Sequence, residues 1–234
     1  MTFFTKIALA TALVASMGAA SAAPTVFSSV GGAPTGVNKW NLDIDTPMPE
    51  GTGLGSIDVT PNAAFVSGSS SGFYAAPVLS GANGIGFGFM GGVQGDGENS
   101  TRYLTTGSTN AQVGSNIVIN FTADQFYFGL LWGSVDPGNG NTMEFFNNGL
   151  SMGSLNGDDV TSTATGNQGA AGTFYVNIDL IGGFDKIVFK STSYAFEFDN
   201  IAWSATRAVP EPGTIALLGL GLAGLGFARR RRAA

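Results

Sequence analysis

The sequence predicts an all-β fold, an antiparallel β-sandwich with a jelly roll as the first choice and an immunoglobulin-like strand order as the alternative. Apolar residues between positions 23 and 208 recur with a period of two, as in strands, and not with the helical period of about 3.6. Turn-forming residues separate these runs, and no strand–helix–strand alternation is visible. Hydrophobic residues make up 44% of the chain and charged residues 11%, which excludes a charge-driven disordered chain.

The segment QFYFGLLWGSV shows the clearest alternation. One face carries Phe126, Phe128, Leu130 and Trp132, and the other carries Tyr127, Gly129, Leu131 and Gly133. Because both faces are largely apolar, the segment is predicted to be a central strand covered on both sides. Trp132 is accordingly assigned to the core.

Five further segments predict strands: VNKWNLDID, SNIVINFT, TFYVNIDL, FDKIVFKS and YAFEFDNIAW. Short polar turns connect such runs, among them IGGFD (Ile181–Asp185), between TFYVNIDL and FDKIVFKS. The Gly/Ser-rich stretch 67–108 is predicted to be a long insertion, partly strand, that covers an edge or end of the sandwich. A flexible loop is the alternative for this stretch.

Residues 1–22 are predicted to be a signal peptide. Lys6 precedes an apolar stretch, Ile7–Met17, and Ala20-Ser21-Ala22 fits the cleavage rule of signal peptidase. Residues 23–208 then form one β-sandwich surface domain, followed by a C-terminal segment at 209–232. The domain contains 15 acidic and 5 basic residues, so its net charge is near −10.

Several function classes are excluded by composition. The chain has no cysteine and no histidine, which excludes disulfides, thiolate nucleophiles, Cys/His zinc sites and Ser-His-Asp catalysis. The acidic domain offers no basic face for nucleic acid. We therefore expect a protein that is not an enzyme and does not bind nucleic acid.

Acidic residues form the best candidate site. Glu197 and Asp199 are two positions apart in YAFEFDN, so they project from one strand face, as do Asp43 and Asp45 in WNLDID. If these strands pair, four carboxylates approach one another, and Asn200 could add an amide oxygen, a donor set that suits a structural Ca²⁺. In the alternatives, the acids lie on a solvated face, or hydrogen bonds of Asp199 and Asn200 fix the strand end.

Three weaker predictions concern sugar stacking, sugar hydrolysis and a turn. Tyr127 and Tyr175 are candidates for stacking on sugar rings, with burial in the core as the alternative. EFD superficially resembles a Glu-x-Asp strand motif of jelly-roll glucanases, but the further glutamate expected there is replaced by Ile201. DPGNGN (Asp136–Asn141) is a weaker second candidate for the calcium site, although turn geometry alone explains its Asp and Asn residues.

The C-terminal segment VPEPGTIALLGLGLAGLGFARRRR has three parts in order. Val209-Pro210-Glu211-Pro212 precedes Thr214–Ala228, which is uncharged, and Arg229–Arg232 follow. As a helix the uncharged part spans about 22 Å, against a hydrocarbon core of about 30 Å. We therefore expect a marginal transmembrane helix, with its arginines on the cytoplasmic side.

These three parts resemble the PEP-CTERM sorting signal, a tail that is also labelled an ice-binding protein C-terminal domain. The resemblance implies export past signal peptidase, transient anchoring in the inner membrane, and cleavage by an exosortase near the Pro-Glu-Pro. It implies a final location at the cell surface or outside the cell. The sorting residues that it implies are Val209, Pro210, Glu211, Pro212, Arg229, Arg230, Arg231 and Arg232.

The domain itself is similar to a family of exosortase-dependent surface proteins of unknown activity. The similarity is carried by SSSGFYAAP (69–77), YFGLLWGSVD (127–136), NTMEFFNNG (141–149) and YAFEFDNIAW (194–203). It implies a structural or adhesive role in a biofilm matrix. A carbohydrate-binding module for exopolysaccharide is the alternative, and a glycoside hydrolase is a weak third.

Overall fold

The computed structural model describes residues 26–43, 47–80, 87, 97–107, 115–192 and 195–206. The predicted signal peptide and the sorting segment lie outside these residues, as does Asp45. Within the described residues, no helix has both the length and the apolar character needed to cross a bilayer.

Strands dominate the described residues. They are β1 (Val26–Val30), β2 (Asn38–Trp40), β3 (Leu54–Val59), β4 (Ala64–Ser67), β5 (Val78–Leu79), β6 (Gly97–Glu98), β7 (Arg102–Thr105), β8 (Asn116–Gly133), β9 (Asn141–Asn147), β10 (Leu150–Asn156), β11 (Phe174–Ser191) and β12 (Glu197–Ser204). A one-turn helix, α1 (Gly157–Val160), and a 3-10 turn, Ala170–Gly172, are the helical elements in this part of the chain. Ten strands form one sheet, and β5 and β6 pair separately.

Two long strands organise the sheet. β8 and β11 each have 18 residues and pair antiparallel with each other. The prediction of two separate strands in place of each long one is wrong, and IGGFD is a bend inside β11. Gly183, at a φ of 72°, permits the bend, and pairing resumes with Phe184 opposite Gln125.

The interruption in the pairing of β8 with β11 divides the sheet into two halves, and both strands run through both halves. The N-terminal part of β8 pairs with β3 and with the C-terminal part of β11, which also pairs with β9. The C-terminal part of β8 pairs with β12 and with the N-terminal part of β11, which also pairs with β1.

Both halves contribute to one hydrophobic core. Ile117 and Ile119 from the first half belong to the same cluster as Phe128 and Leu130 from the second. The sheet therefore folds over on itself around this core. The strand order β10-β9-β11-β8-β12-β7-β4 is antiparallel throughout, which confirms the all-β prediction but does not confirm a jelly roll.

Stacked aromatic rings fill the centre of the core. Trp132 stacks on Phe196 with ring centroids 4.4 Å apart, and Phe189 stacks on Phe198 at 4.2 Å. Edge contacts join the two stacks, since Phe196 lies 5.4 Å from Phe189 and 5.8 Å from Phe198. The prediction that Trp132 is a core residue is confirmed.

The described residues of the predicted insertion cover a face of the second half of the sheet, and its strand β7 pairs with β12. Leu79 and Phe87 from the insertion pack against a second apolar cluster on the sheet, formed by Tyr127, Leu131, Tyr175 and Ala202. QFYFGLLWGSV is therefore buried on both faces, as its alternation predicted.

Gly129 lies in this covered face at the closest approach of two tyrosines. A Cβ atom at Gly129 would clash with the Tyr127 hydroxyl and lie 2.8 Å from the Tyr175 hydroxyl. We expect Gly129→Ala to lower the free energy of unfolding by about 1–3 kcal/mol, because the added methyl forces both rings out of place. Urea denaturation measures the change. Gly32→Ala is the matched control, since its Cβ would meet no atom within 4 Å, and an equal effect there would contradict the explanation.

Candidate functional site

The acidic strand β12 is buried along its whole length. Phe198 points into the main core, whereas Glu197 and Asp199 face the insertion and are 2% and 0% exposed. The pairing of β12 with the WNLDID segment occurs as expected, with Ile201 opposite Trp40. Burial excludes the alternative in which these two acids lie on a solvated face.

Three neighbouring side chains of β12 hold three separate parts of the insertion. Nitrogen donors of the insertion reach them as follows: Ala75 N to Glu197 Oε1 at 2.9 Å, Asn99 Nδ2 to Asp199 Oδ2 at 2.5 Å, and Phe87 N to Asn200 Oδ1. The EFDN motif thus fastens the insertion to the sheet. Of the alternatives predicted from the sequence, hydrogen bonding by Asp199 and Asn200 agrees best with the structure. These bonds hold the insertion as well as the end of the strand.

A bulge in β12 aims these side chains. Asn200 has a φ of 53°, in the left-handed region that asparagine tolerates better than most residues, and the pairing register shifts between Asp199 and Ala202. The Asn200 backbone N–H donates to Asp199 Oδ1 at 2.7 Å. The bulge therefore lets consecutive residues, Asp199 and Asn200, both serve the insertion.

Burial changes the acidity of both carboxyl groups. Burial, opposed by the Ala75 N–H and assisted by the nearby Asp136 carboxylate, raises the pKa of Glu197 to about 8. Burial likewise raises the pKa of Asp199 to about 8, with a smaller contribution from Asp43. Both groups are therefore largely protonated at neutral pH.

The predicted calcium set is only partly assembled in the described residues. There, no group of three or more acidic side chains is arranged to hold a metal ion. Asp43 lies close enough to Asp199 to influence its pKa, and Asp43 Oδ2 accepts a hydrogen bond from Asn41 Nδ2 at 2.6 Å. Because Asp45 lies outside the described residues, the calcium site stays a prediction.

The two candidate stacking tyrosines lie inside the protein. Tyr127 is 1% exposed and Tyr175 is 0% exposed. The Tyr127 hydroxyl donates to Asn177 Oδ1 at 2.7 Å, and the ring of Tyr175 lies 6.3 Å from that of Phe87. Neither ring offers an open face to a sugar, because the insertion covers both.

A pocket that the sequence analysis missed lies where the insertion meets the ends of β8 and β12. Its volume is about 150 Å³. The side chains that line it include those of Phe73, Tyr74, Ser134, Asp136, Gln168 and Glu197. In the sequence, Asp136 belongs to a turn and Glu197 to a strand, and only the topology of the sheet brings them together.

Comparison with known proteins identifies one segment of the chain. No curated protein and no solved structure matches it. A family model does match, at residues 208–232, and its description is the PEP-CTERM protein-sorting motif. This match covers the segment 209–232 singled out in the sequence and none of the described β-domain. The chain therefore carries a PEP-CTERM sorting motif, which implies an exported surface protein that depends on an exosortase for its processing.

Proposed function

We propose that the β-domain has a structural or adhesive role in an extracellular matrix and is not an enzyme. The observation that supports this role is the use of β12, the most acidic strand of the sheet, as an internal fastener. Its side chains Glu197, Asp199 and Asn200 accept hydrogen bonds from Ala75, Asn99 and Phe87 of the insertion, respectively.

This fastening suits a scaffold that works outside the cell. Without cysteine, an exported domain depends on its core and on internal polar contacts for stability. The contacts from β12 join the insertion and the sheet into one body. The sorting motif would hold that body at the inner membrane until exosortase passes it to the cell surface.

Attachment of living cells tests the role. Cells that produce the chain are expected to attach to one another and to retain more matrix than cells that lack it. A variant with Arg229–Arg232 replaced by glutamine should lose this gain, because sorting fails. Arg207→Gln is the matched control, since it removes one arginine and keeps the four at the C-terminal end. Normal surface display without any gain in attachment would overturn the proposed role.

Processing at the sorting motif is a separate prediction. The protein recovered from the cell surface is expected to end near Pro210–Pro212 and to lack Arg229–Arg232, because the exosortase removes the segment that follows. Mass spectrometry of the surface-exposed protein locates the new terminus and any attached group. Intact arginines in the surface form would contradict cleavage.

Carbohydrate binding is the second candidate function, for exopolysaccharide as the ligand. The buried tyrosines do not support it, but the pocket at Glu197 does, because aromatic rings and carboxyl groups line it together. Hydrolysis of such a ligand remains the weakest candidate.

A further inference from the structure

Aromatic and acidic side chains line the pocket together. Phe73 and Tyr74 come from the insertion, Asp136 from the turn after β8, and Glu197 from β12. Its volume of about 150 Å³ is below the range of about 300–1,000 Å³ that is typical of sites for drug-sized ligands. The pocket therefore suits one small ligand, or one unit of a longer chain.

Glu197 lines the pocket and carries one carboxyl oxygen without a hydrogen-bond partner among the described residues. Its Oε1 accepts the Ala75 N–H, whereas its Oε2 is buried and has no hydrogen-bond partner among the described residues. An unsatisfied buried polar group costs about 1–3 kcal/mol. A ligand that paired with Oε2 would recover this cost, so the atom favours a hydrogen-bonding ligand.

Asp136 adds a second carboxyl group to the lining of the pocket. Its Oδ2 accepts from Asn141 Nδ2 at 2.7 Å, which fixes the carboxyl group. Its Oδ1 lies against Gly166, where a Cβ atom would clash with the oxygen, so a glycine at position 166 permits this position of the carboxyl group.

The ligand must suit both the carboxyl groups and the aromatic rings that line the pocket. Hydroxyl groups both donate to and accept from carboxyl groups, while a ring of C–H bonds packs well on aromatic faces. An anion would be repelled by Asp136, and the charge of the domain adds to this repulsion. Among the described residues, only two carboxyl groups line the pocket, fewer than a hard cation such as Ca²⁺ prefers.

We propose that this pocket binds one neutral, hydroxyl-rich sugar unit. The sugar hydroxyls pair with Glu197 Oε2 and Asp136, and the sugar ring packs on Phe73 or Tyr74. The inference gives the carbohydrate-binding candidate a site and rests on that candidate, but it is independent of the adhesive role.

Calorimetric titration of the full-length chain in mild detergent tests the proposal. The probes are glucose, galactose, mannose and N-acetylglucosamine at up to about 10 mM, well above a Kd of about 1 mM. Glucuronate and calcium chloride are tested in parallel. At least one neutral sugar should bind, and glucuronate should bind at least about tenfold more weakly, because Asp136 repels it.

Two variants locate the binding. Asp136→Ala removes one of the two carboxyl groups that line the pocket, and should weaken binding by about tenfold or more. Phe73→Ala removes a half-buried ring and should do the same, so the test does not depend on a single variant. Glu144→Gln is the control: it neutralises an acid of β9 that does not line the pocket, and should leave the affinity unchanged.

The outcomes distinguish failure of the proposed binding site from failure of carbohydrate binding as a function. If a neutral sugar binds and neither Asp136→Ala nor Phe73→Ala weakens it, the pocket proposal is overturned while carbohydrate binding stands. If no neutral sugar binds, both fail. Binding of calcium without any sugar also overturns the proposal and identifies the pocket as a cation site.

Discussion

Replacing Phe196 with alanine is expected to lower the free energy of unfolding by about 3–5 kcal/mol. The ring is fully buried; it stacks on Trp132 at 4.4 Å and contacts Phe189 of the other stack at 5.4 Å. Its loss leaves a cavity that the stiff neighbouring rings fill poorly, and it removes contacts that join the stacks. For a domain of this size the melting temperature should fall by about 10 °C.

Phe27→Ala is the control for the size of the effect. Phe27 lies on β1 and is 52% exposed, so its truncation should change the free energy of unfolding by less than about 1 kcal/mol. Urea denaturation of both variants, with the slope compared as well as the midpoint, measures the difference. Similar losses for Phe196 and Phe27 would show that the aromatic stacks are not the centre of stability.

Stability is expected to fall as the pH rises from about 5 to about 9. Burial raises the pKa of Glu197 and of Asp199 to about 8. In the unfolded chain both groups lose their protons near pH 4. Groups with a raised folded-state pKa contribute stability that is complete below about pH 4 and is lost as the pH rises to about 8.

The expected effect is large because each pKa unit corresponds to about 1.4 kcal/mol. Two carboxyl groups with upward shifts of this kind imply a loss of several kcal/mol over the window, and a melting temperature lower by at least about 5 °C at pH 9 than at pH 5. Differential scanning calorimetry across this range measures the loss.

Paired variants identify the groups responsible. Glu197→Gln combined with Asp199→Asn should flatten the pH dependence of the melting temperature, because neither amide ionises. Glu144→Gln is the control, since Glu144 is partly exposed and pairs with Lys190 at 2.6 Å. If the double variant keeps the full slope of the wild type, general charge repulsion and not these two acids would explain the effect.

The sequence predicted the features that depend on strand periodicity. Alternation alone placed Trp132 in the core, showed that its strand is covered on both faces, and put Glu197 and Asp199 on one face. The pairing of β2 with β12 was also foreseen. These features follow from the two-residue repeat of a strand, which is visible in a short segment.

Features that depend on distant contacts were missed or misread. The glycines of IGGFD predict a turn, and only the resumption of pairing at Phe184 shows that β11 continues. Acidic side chains are usually exposed, so the burial of Glu197 and Asp199 has no local signal. The pocket joins Asp136 to Phe73 and Glu197 from three separate segments, a proximity that depends on the folding of the whole sheet.

The position of β12 has a mechanical consequence for a protein that is sorted by its C-terminal segment. β12 ends at Ser204, just before that segment, and it pairs with β8 on one side and with β2 and β7 on the other. A pull on the C-terminal end runs along the strand, so the hydrogen bonds to β8 are sheared together and are not peeled apart one at a time. If the mature protein stays tethered there, the domain would resist flow at the strand that carries the tether.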